Sequence, residues 1–436
     1  MQGLNDKIIN LDQTNADILT QQNNAPSVFT LTKDGSIKAN SVKNAVIILD
    51  KDPNLKGLFK FNEFSGEVDV MKDVELDTDL GKINISAGDF TDHVLNSIEL
   101  YIESQYEVAF KNALIDQSIQ DVASMHSYNP VVDYMKKARK NWDKKQRLMD
   151  FFPDYLGAER NETTALITKL WFMGVVAKAL DPRVKFDFVL DLTGGQGIGK
   201  TTMVKRLAPL GLYTDQFTDF TNKDSFEVMK NALIVNDDEM TASNSSSFEV
   251  VKKFVTMQTF EYRKAYARKV SRGLKKFVIV RTTNEVRYLK DKSGDRRFIS
   301  IYANVDKQKK SPIDELPPEL VEQLWGEAVW LYENAEDPFN LTKKQQDLLE
   351  ENREHFRYRT GLEDELMDVL ENDFDGVEFI ENTKLSFKLF DSETALSHNT
   401  KESREIRYYM AHLGYDVGAV KKVNGKSIRG FAKRLQ

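Results

Sequence analysis

Apolar residues gather in short runs, and the spacing within each run predicts the element it forms. FDFVLDL (186–192) is a compact run of strand length, and ALIV (232–235) and FVIV (277–280) repeat it downstream. Between the last two lies FEVVKKFVTM, whose apolar positions follow a helical period. Buried strands alternating with helices predict an α/β fold with a mainly parallel sheet and helices on both faces. Upstream, NAVIILDKD (44–52) and LFKFNEFSGEVDV (58–70) read as strands, and DFTDHVLNSIELYIESQ and YEVAFKNALIDQSIQDVASMHS as helices. Near the C-terminus, REIRYYMAHLGY reads as a helix, and VKKVNGKSIRGFAKR as a hairpin about Asn424-Gly425.

These elements suggest an order along the chain. Residues 1–26 are a polar arm and 27–128 a small α+β accessory domain. A helical lead-in (129–185) precedes an α/β core (186–310), an acidic helical region (311–372) and a basic module (373–436). Helices followed by a basic hairpin describe a winged helix in that last module.

Composition narrows the class. With 41% hydrophobic and 30% charged residues, the chain of 436 is of ordinary globular type. Neither a run of about 20 apolar residues nor a signal-peptide pattern is present, so the expectation is a cytoplasmic protein without a membrane partner. Cysteine is absent, which excludes disulfides and thiol chemistry. The five histidines (His93, His126, His355, His398, His412) show no metal-ligand spacing. A net charge of −7 argues against a surface coated for nucleic acid, yet basic residues are concentrated locally. Residues 401–436 carry nine Lys/Arg against three acids, and 259–276 seven against one. Such islands suit a protein that touches nucleic acid at chosen places.

The chemistry centres on DLTGGQGIGKTTMVKRLA (191–208). Gly194, Gly199, Lys200 and Thr201 fit the P-loop pattern, with a strand before and a helix after. Glycines let backbone N–H groups curl round a phosphate, and the helix N-terminus adds partial positive charge. The expected phosphate contacts are Gly194, Gly195, Gln196, Gly197, Ile198, Gly199, Lys200, Thr201 and Thr202, with ATP and Mg²⁺ as cofactors. Thr201 would hold Mg²⁺ and Lys200 the β and γ phosphates. A glycine turn capping a surface helix is the alternative.

ALIVNDDEM supplies carboxylates at a strand end: Asp238 as metal ligand with Asp237 as its rival, and Glu239 as the base for the attacking water. The third strand ends in VRTTNE, where Asn284 can hold that water and the γ-phosphate. In SGDRRFISIY, one of Arg296 and Arg297 is a candidate arginine finger for a neighbouring subunit; pairing with Asp295 is the alternative. The TFEYRKAYARKVSRGLKK stretch suggests a hairpin with Arg263, Lys264, Arg268 and Lys269 on phosphates and Tyr262 and Tyr266 as stacking surfaces for single-stranded DNA. Lys426 and Arg429 are DNA-contact candidates in the C-terminal module.

With these residues in place, the chain resembles the virulence-associated protein E family, superfamily 3-like AAA+ helicases of phages and mobile genomic islands. The resemblance runs from about Asn44 to the end, through DPNLKGLFKFNEFSGEV, YNPVVDYM, WDKKQRLMDFFPDYLGAE, KFDFVLDLTGGQGIGKTT, RTTNEVRYLKDKSGDRRF and NGKSIRGF. It implies a P-loop AAA+ core, a hexameric ring, and ATP-driven movement on single-stranded and forked DNA at the start of a mobile element's replication. It assigns Lys200 and Thr201 to phosphate and Mg²⁺, Glu239 to the acidic motif, Asn284 to the sensor and Arg296 or Arg297 to the finger. Asn236 departs from the pattern, standing where the family often has an acid. Some 40 residues before the resemblance are too few for a primase, so a separate primase and host replication proteins are the expected partners. An ATP-switched initiator or helicase loader without processive unwinding is the rival reading, and a small-molecule kinase lacks a lid or acceptor pocket near the P-loop.

Overall fold

The computed structural model describes residues 28–262, 271–290, 296–394, 396, 400–423 and 425–434. In its first part, α1 (Val42–Lys51) is a helix where NAVIILDKD reads as a strand. Ala45, Ile48 and Leu49 fall on one face and are buried, and the Ser41 side chain accepts the Asn44 N–H at the helix start. That face packs in a core with β1 (Phe59–Asn62), β2 (Glu67–Val70), β3 (Val74–Thr78), β4 (Gly81–Ile85), α2 (Asp92–Tyr106) and α3 (Asn112–Met125). A two-residue β5 (Gly88–Asp89) extends the β1–β2 pair.

Helices α4 (Pro130–Asn141), α5 (Leu148–Leu156) and α6 (Glu162–Leu180) lead into the sheet. Helix α6 is long and apolar enough to cross a membrane by composition, although no such run stands out in the sequence; it is buried inside the fold. Its Phe172 packs against Trp325 of α11 (Pro318–Glu333), with ring centroids 4.9 Å apart.

Five parallel strands form the central sheet: β6 (Val189–Gly194), β7 (Tyr213–Thr214), β8 (Ile234–Asp237), β11 (Val278–Thr282) and β12 (Phe298–Ala303). Their spatial order is β12-β6-β11-β8-β7, and β6, β8 and β11 are buried throughout. Burial on both faces explains why these strands read as mainly apolar runs rather than alternating ones. Between strands lie α7 (Lys200–Leu207), α8 (Lys223–Met229), α9 (Thr241–Ser245) and α10 (Phe248–Thr256), and an antiparallel pair, β9 (Thr259–Tyr262) and β10 (Ser271–Leu274), stands apart from the sheet.

Helix α12 (Lys343–Phe356) follows. The C-terminal core is built by α13 (Gly361–Asp373), α14 (Asn382–Phe390), α15 (Lys401–His412) and a sheet of order β13-β15-β14: β13 (Phe379–Glu381), β14 (Tyr415–Val423) and β15 (Lys426–Lys433). Leu366 of α13, in the acidic region, is buried in this same core.

Candidate functional site

The glycine loop leaves the C-terminal end of β6, where two glycines are required by geometry. Gly194 has φ +123°, and a Cβ there would lie 2.2 Å from the Ala303 carbonyl oxygen on β12. Gly199 has φ +91°, and its Cβ would lie 2.6 Å from Pro312. A side chain at either position would meet both a strained backbone and a filled space. Behind the loop, the Gln308 side-chain amide donates to Ile198 O (3.1 Å) and to Tyr155 O (2.7 Å).

Lys200 opens α7 and turns back into the loop. Its Nζ donates to Gly194 O (2.7 Å), Gly195 O (2.8 Å) and Asn284 Oδ1 (3.1 Å). Burial pushes this amine below its ordinary value, opposed by the charges of Glu239 and Asp238. The Thr201 hydroxyl donates to Asp238 Oδ1 (2.7 Å), which also accepts the Thr282 hydroxyl (2.7 Å). Asn236 donates to the same oxygen at 3.3 Å and to the Tyr213 hydroxyl at 3.0 Å, while its own buried Oδ1 has no hydrogen-bond partner.

Glu239 stands in the left-handed region, φ +52°, as does Met240 at φ +51°. Such residues cost about 1–3 kcal/mol each and persist only where the surroundings hold them. Here the Glu239 N–H donates to Thr282 Oγ1 (3.2 Å), and both carboxylate oxygens accept the Asn284 amide, at 3.1 and 3.2 Å. The turn thereby aims Glu239 at the open end of the sheet, where it and Asn284 are exposed.

Asp237 points elsewhere. It is buried, and its carboxylate accepts the Ala242 N–H (2.8 Å), the Ser243 N–H (2.9 Å) and the Ser243 hydroxyl (2.5 Å). It thus caps the first turn of α9, whose preceding residue, Met240, has no side-chain acceptor.

The structure brings Lys200, Thr201, Asp238, Glu239 and Asn284 together, but not Arg296 and Arg297. These precede β12, whose first residue pairs with Val189 and whose last pairs with Gly194. The Val189 N–H donates to Arg297 O at 2.8 Å. Both arginines therefore lie at the opposite strand end from Lys200, roughly 20 Å away at about 3.3 Å per residue. There they line a cleft of about 850 Å³ with Phe188, Tyr332, Phe339 and Arg353. Asp295, and the basic stretch with Arg263, Lys264, Tyr266, Arg268 and Lys269, lie outside the described residues. Lys426 and Arg429 are exposed on the C-terminal hairpin, which belongs to a different core from the glycine loop.

Sequence reasoning missed two features. One Thr282 hydroxyl donates to the Asp238 carboxylate and accepts the Glu239 backbone N–H. Beneath it, Arg281 of β11 donates to both oxygens of Asp191 on β6 (2.7 and 2.6 Å), Tyr288 donates to the same carboxylate, and Tyr288 and Ser300 share a 2.6 Å hydrogen bond. All four side chains are buried, and burial raises the Tyr288 phenol far above its ordinary value. The available signal was a single charge inside each of two apolar strand runs, VLDL and VIVRT, because a buried charge demands a buried partner.

The oxygens of Thr201 and Asp238 are hard ligands of the kind Mg²⁺ takes, whereas Asn236 turns its amide N–H, not its oxygen, toward Asp238. Among the described residues no group of three or more His, Cys, Asp or Glu could hold a metal. A cation here would need oxygens from a ligand, as Mg²⁺ does when it arrives with phosphates.

The family model of the virulence-associated protein E-like domain matches residues 135–358. Among solved structures, an A-form apo structure of the NrS-1 C-terminal region is 16% identical, with a TM-score of 0.42, covering 89% of this chain and 99% of that one. A second apo structure of that region is 14% identical, with a TM-score of 0.41, covering 86% and 96%. No curated protein matches the chain.

Proposed function

The chain belongs to the virulence-associated protein E-like family, and from that premise we propose that it is an ATP-hydrolysing DNA helicase with a P-loop AAA+ core and a C-terminal winged helix, acting when a phage or mobile element begins replication. The observation that carries this reading is the convergence of Lys200, Thr201 with Asp238, and Glu239 with Asn284 on the C-terminal ends of β6, β8 and β11. In an open parallel sheet, ligands bind outside those strand ends.

In this reading, Lys200 exchanges the carbonyls of Gly194 and Gly195 for the β and γ phosphates, and Thr201 and Asp238 hold Mg²⁺. The metal, when bound, neutralises phosphate charge. Glu239 takes a proton from the attacking water, which Asn284 orients. Arg296 or Arg297 stands too far from its own Lys200 to reach a γ-phosphate there, so either would act as a finger only across a subunit boundary, in the hexameric ring that the family implies. The β9–β10 pair, between the acidic strand and the sensor strand, would carry single-stranded DNA.

The test is ATPase with and without single-stranded DNA, beside unwinding of a forked duplex. The expected result is DNA-stimulated hydrolysis with strand displacement, both abolished by Lys200→Ala. ATP-dependent retention of DNA without displacement would make the protein a switch-type initiator instead.

A further inference from the structure

Strands β14 and β15 are nine and eight residues long, but β13 covers only a short part of them. Its three residues pair with Gly430, Phe431 and Ala432. The ladder continues past this sheet through Val420 with Arg429, Lys421 with Ile428, Lys422 with Ser427 and Val423 with Lys426. Those four pairs form a free two-stranded ribbon of about 14 Å, at about 3.4 Å per residue. A register shift between Val417 and Ala419, with Gly418 at φ +82°, lies near the point where the ribbon leaves the sheet. Bulges of this kind bend and twist a ribbon away from its sheet.

The ribbon's charge has one sign. Lys421, Lys422, Lys426 and Arg429 are all exposed, and among the described residues no carboxylate lies within ion-pair distance of any of them, the Lys421 ammonium standing 5.8 Å from the centroid of the Phe379 ring. Opposed residues share a face and neighbours along a strand alternate. Lys422 and Arg429 therefore share one face with Val420, which is 59% exposed, while Lys421 and Lys426 share the other with Ile428. Cations on both faces are unsuited to lying flat on a surface. They suit a slot with phosphates along both walls.

Helix α15 is different. Its exposed face mixes Lys401 and Arg404 with Glu402, and Glu405 is half-buried beside them. Two of its arginines are engaged locally, Arg404 with Thr400 O (3.4 Å) and Arg407 with Leu396 O (3.2 Å).

We propose that the β14–β15 ribbon enters the major groove of duplex DNA and, in place of α15, is the duplex-binding element of the C-terminal module. A groove about 12 Å wide and 8.5 Å deep admits a two-stranded ribbon. The deep, narrow major groove of A-form RNA excludes one, and a single strand has no second wall. Val420 is placed to meet a thymine methyl in the groove. The proposal rests on the reading of the chain as a DNA motor for its choice of partner.

The experiment measures binding of the full chain, without nucleotide, to labelled duplex DNA across a range of KCl, for wild type and three double variants with matched unfolding midpoints. Lys422→Ala with Arg429→Ala clears one face, and Lys421→Ala with Lys426→Ala clears the other. Each is expected to weaken duplex binding at least about tenfold and to reduce the salt slope by about 2, at roughly 0.9 per phosphate contact. Lys401→Ala with Arg404→Ala in α15 should change affinity less than about twofold. Loss confined to one face, loss carried by the α15 pair, or a wild-type chain that does not bind duplex would overturn the proposal. Wild-type ATPase separates the two failures. Ribbon-dependent binding in a chain without ATPase sinks the motor and keeps the ribbon, whereas normal ATPase with unaffected ribbon variants does the reverse.

Discussion

Asp191 and Asp238 are carboxylates on the same sheet, yet they have opposite surroundings. Asp191 lies in mid-strand, sealed from solvent, with a two-point Arg281 contact and the Tyr288 hydroxyl completing its shell. Asp238 follows a strand end, half-exposed, and is held by two threonine hydroxyls and an asparagine amide. Neutral donors orient a carboxylate without cancelling its charge. The hydrogen bonds to Asp238 thus come from neutral groups, whereas Asp191 is paired with the Arg281 cation. A hydroxyl donor occurs at both positions, so a polar partner by itself does not mark a site.

The largest effect that could break this comparison lies at the sealed end. Arg281→Ala leaves the Asp191 carboxylate buried without its cation, and breaking such a pair costs about 3–5 kcal/mol. The expected outcome is a large loss of stability in equilibrium urea unfolding. Replacing both partners with apolar residues of similar volume should cost much less, because a buried ion pair contributes little beyond its own desolvation. A loss under about 1 kcal/mol for Arg281→Ala would mean that water reaches Asp191.

The three central strands of the sheet, β6, β8 and β11, were legible because they are buried on both faces. Apolar runs at 186–192, 232–235 and 277–280 therefore needed no alternation to be recognised, and the glycine loop fixed their direction. α1 was not legible: in a run as short as NAVIILDKD, β-branched residues resemble a strand, and only packing of Ala45, Ile48 and Leu49 against the N-terminal core decides for a helix. The side chains of Asp237 and Asp238 were beyond sequence as well, because the left-handed turn at Glu239 and Met240 sets their directions and carries no local signal such as glycine. Thr282 was overlooked for a related reason. A threonine at a strand end is common, and its double role follows only from the parallel register that sets β11 beside β8.

A smaller effect is expected at the open end. Glu239→Gln keeps the length of the side chain and a group able to face Asn284, but removes the proton acceptor. Turnover should fall at least about 100-fold, the ordinary contribution of a positioned base, while ATP is still bound. Nucleotide affinity measured beside single-turnover hydrolysis checks this. Comparable turnover in the variant would place the base elsewhere and leave Glu239 only a positioning role in the turn.

The smallest effects separate the two neighbouring aspartates. Asp238→Asn preserves the size of the group facing Thr201 and Thr282 but removes its charge, so the Mg²⁺ concentration needed for half-maximal ATPase should rise about tenfold or more, the lower end for losing a metal's supporting shell. Stability should change little, since an amide can still meet both hydroxyls. Asp237→Ala should behave in the opposite way. The N–H groups of Ala242 and Ser243 lose their acceptor, which costs about 1–2 kcal/mol, as for other helix caps. The Mg²⁺ requirement should stay near that of wild type, because the Asp237 carboxylate is turned into α9 and away from Thr201. Measuring the unfolding midpoint and the Mg²⁺ titration on both variants gives two independent readouts for two residues. A raised Mg²⁺ requirement in Asp237→Ala with none in Asp238→Asn would invert the assignment, and would mean that nucleotide binding rearranges the turn at Glu239 so that Asp237 faces the loop.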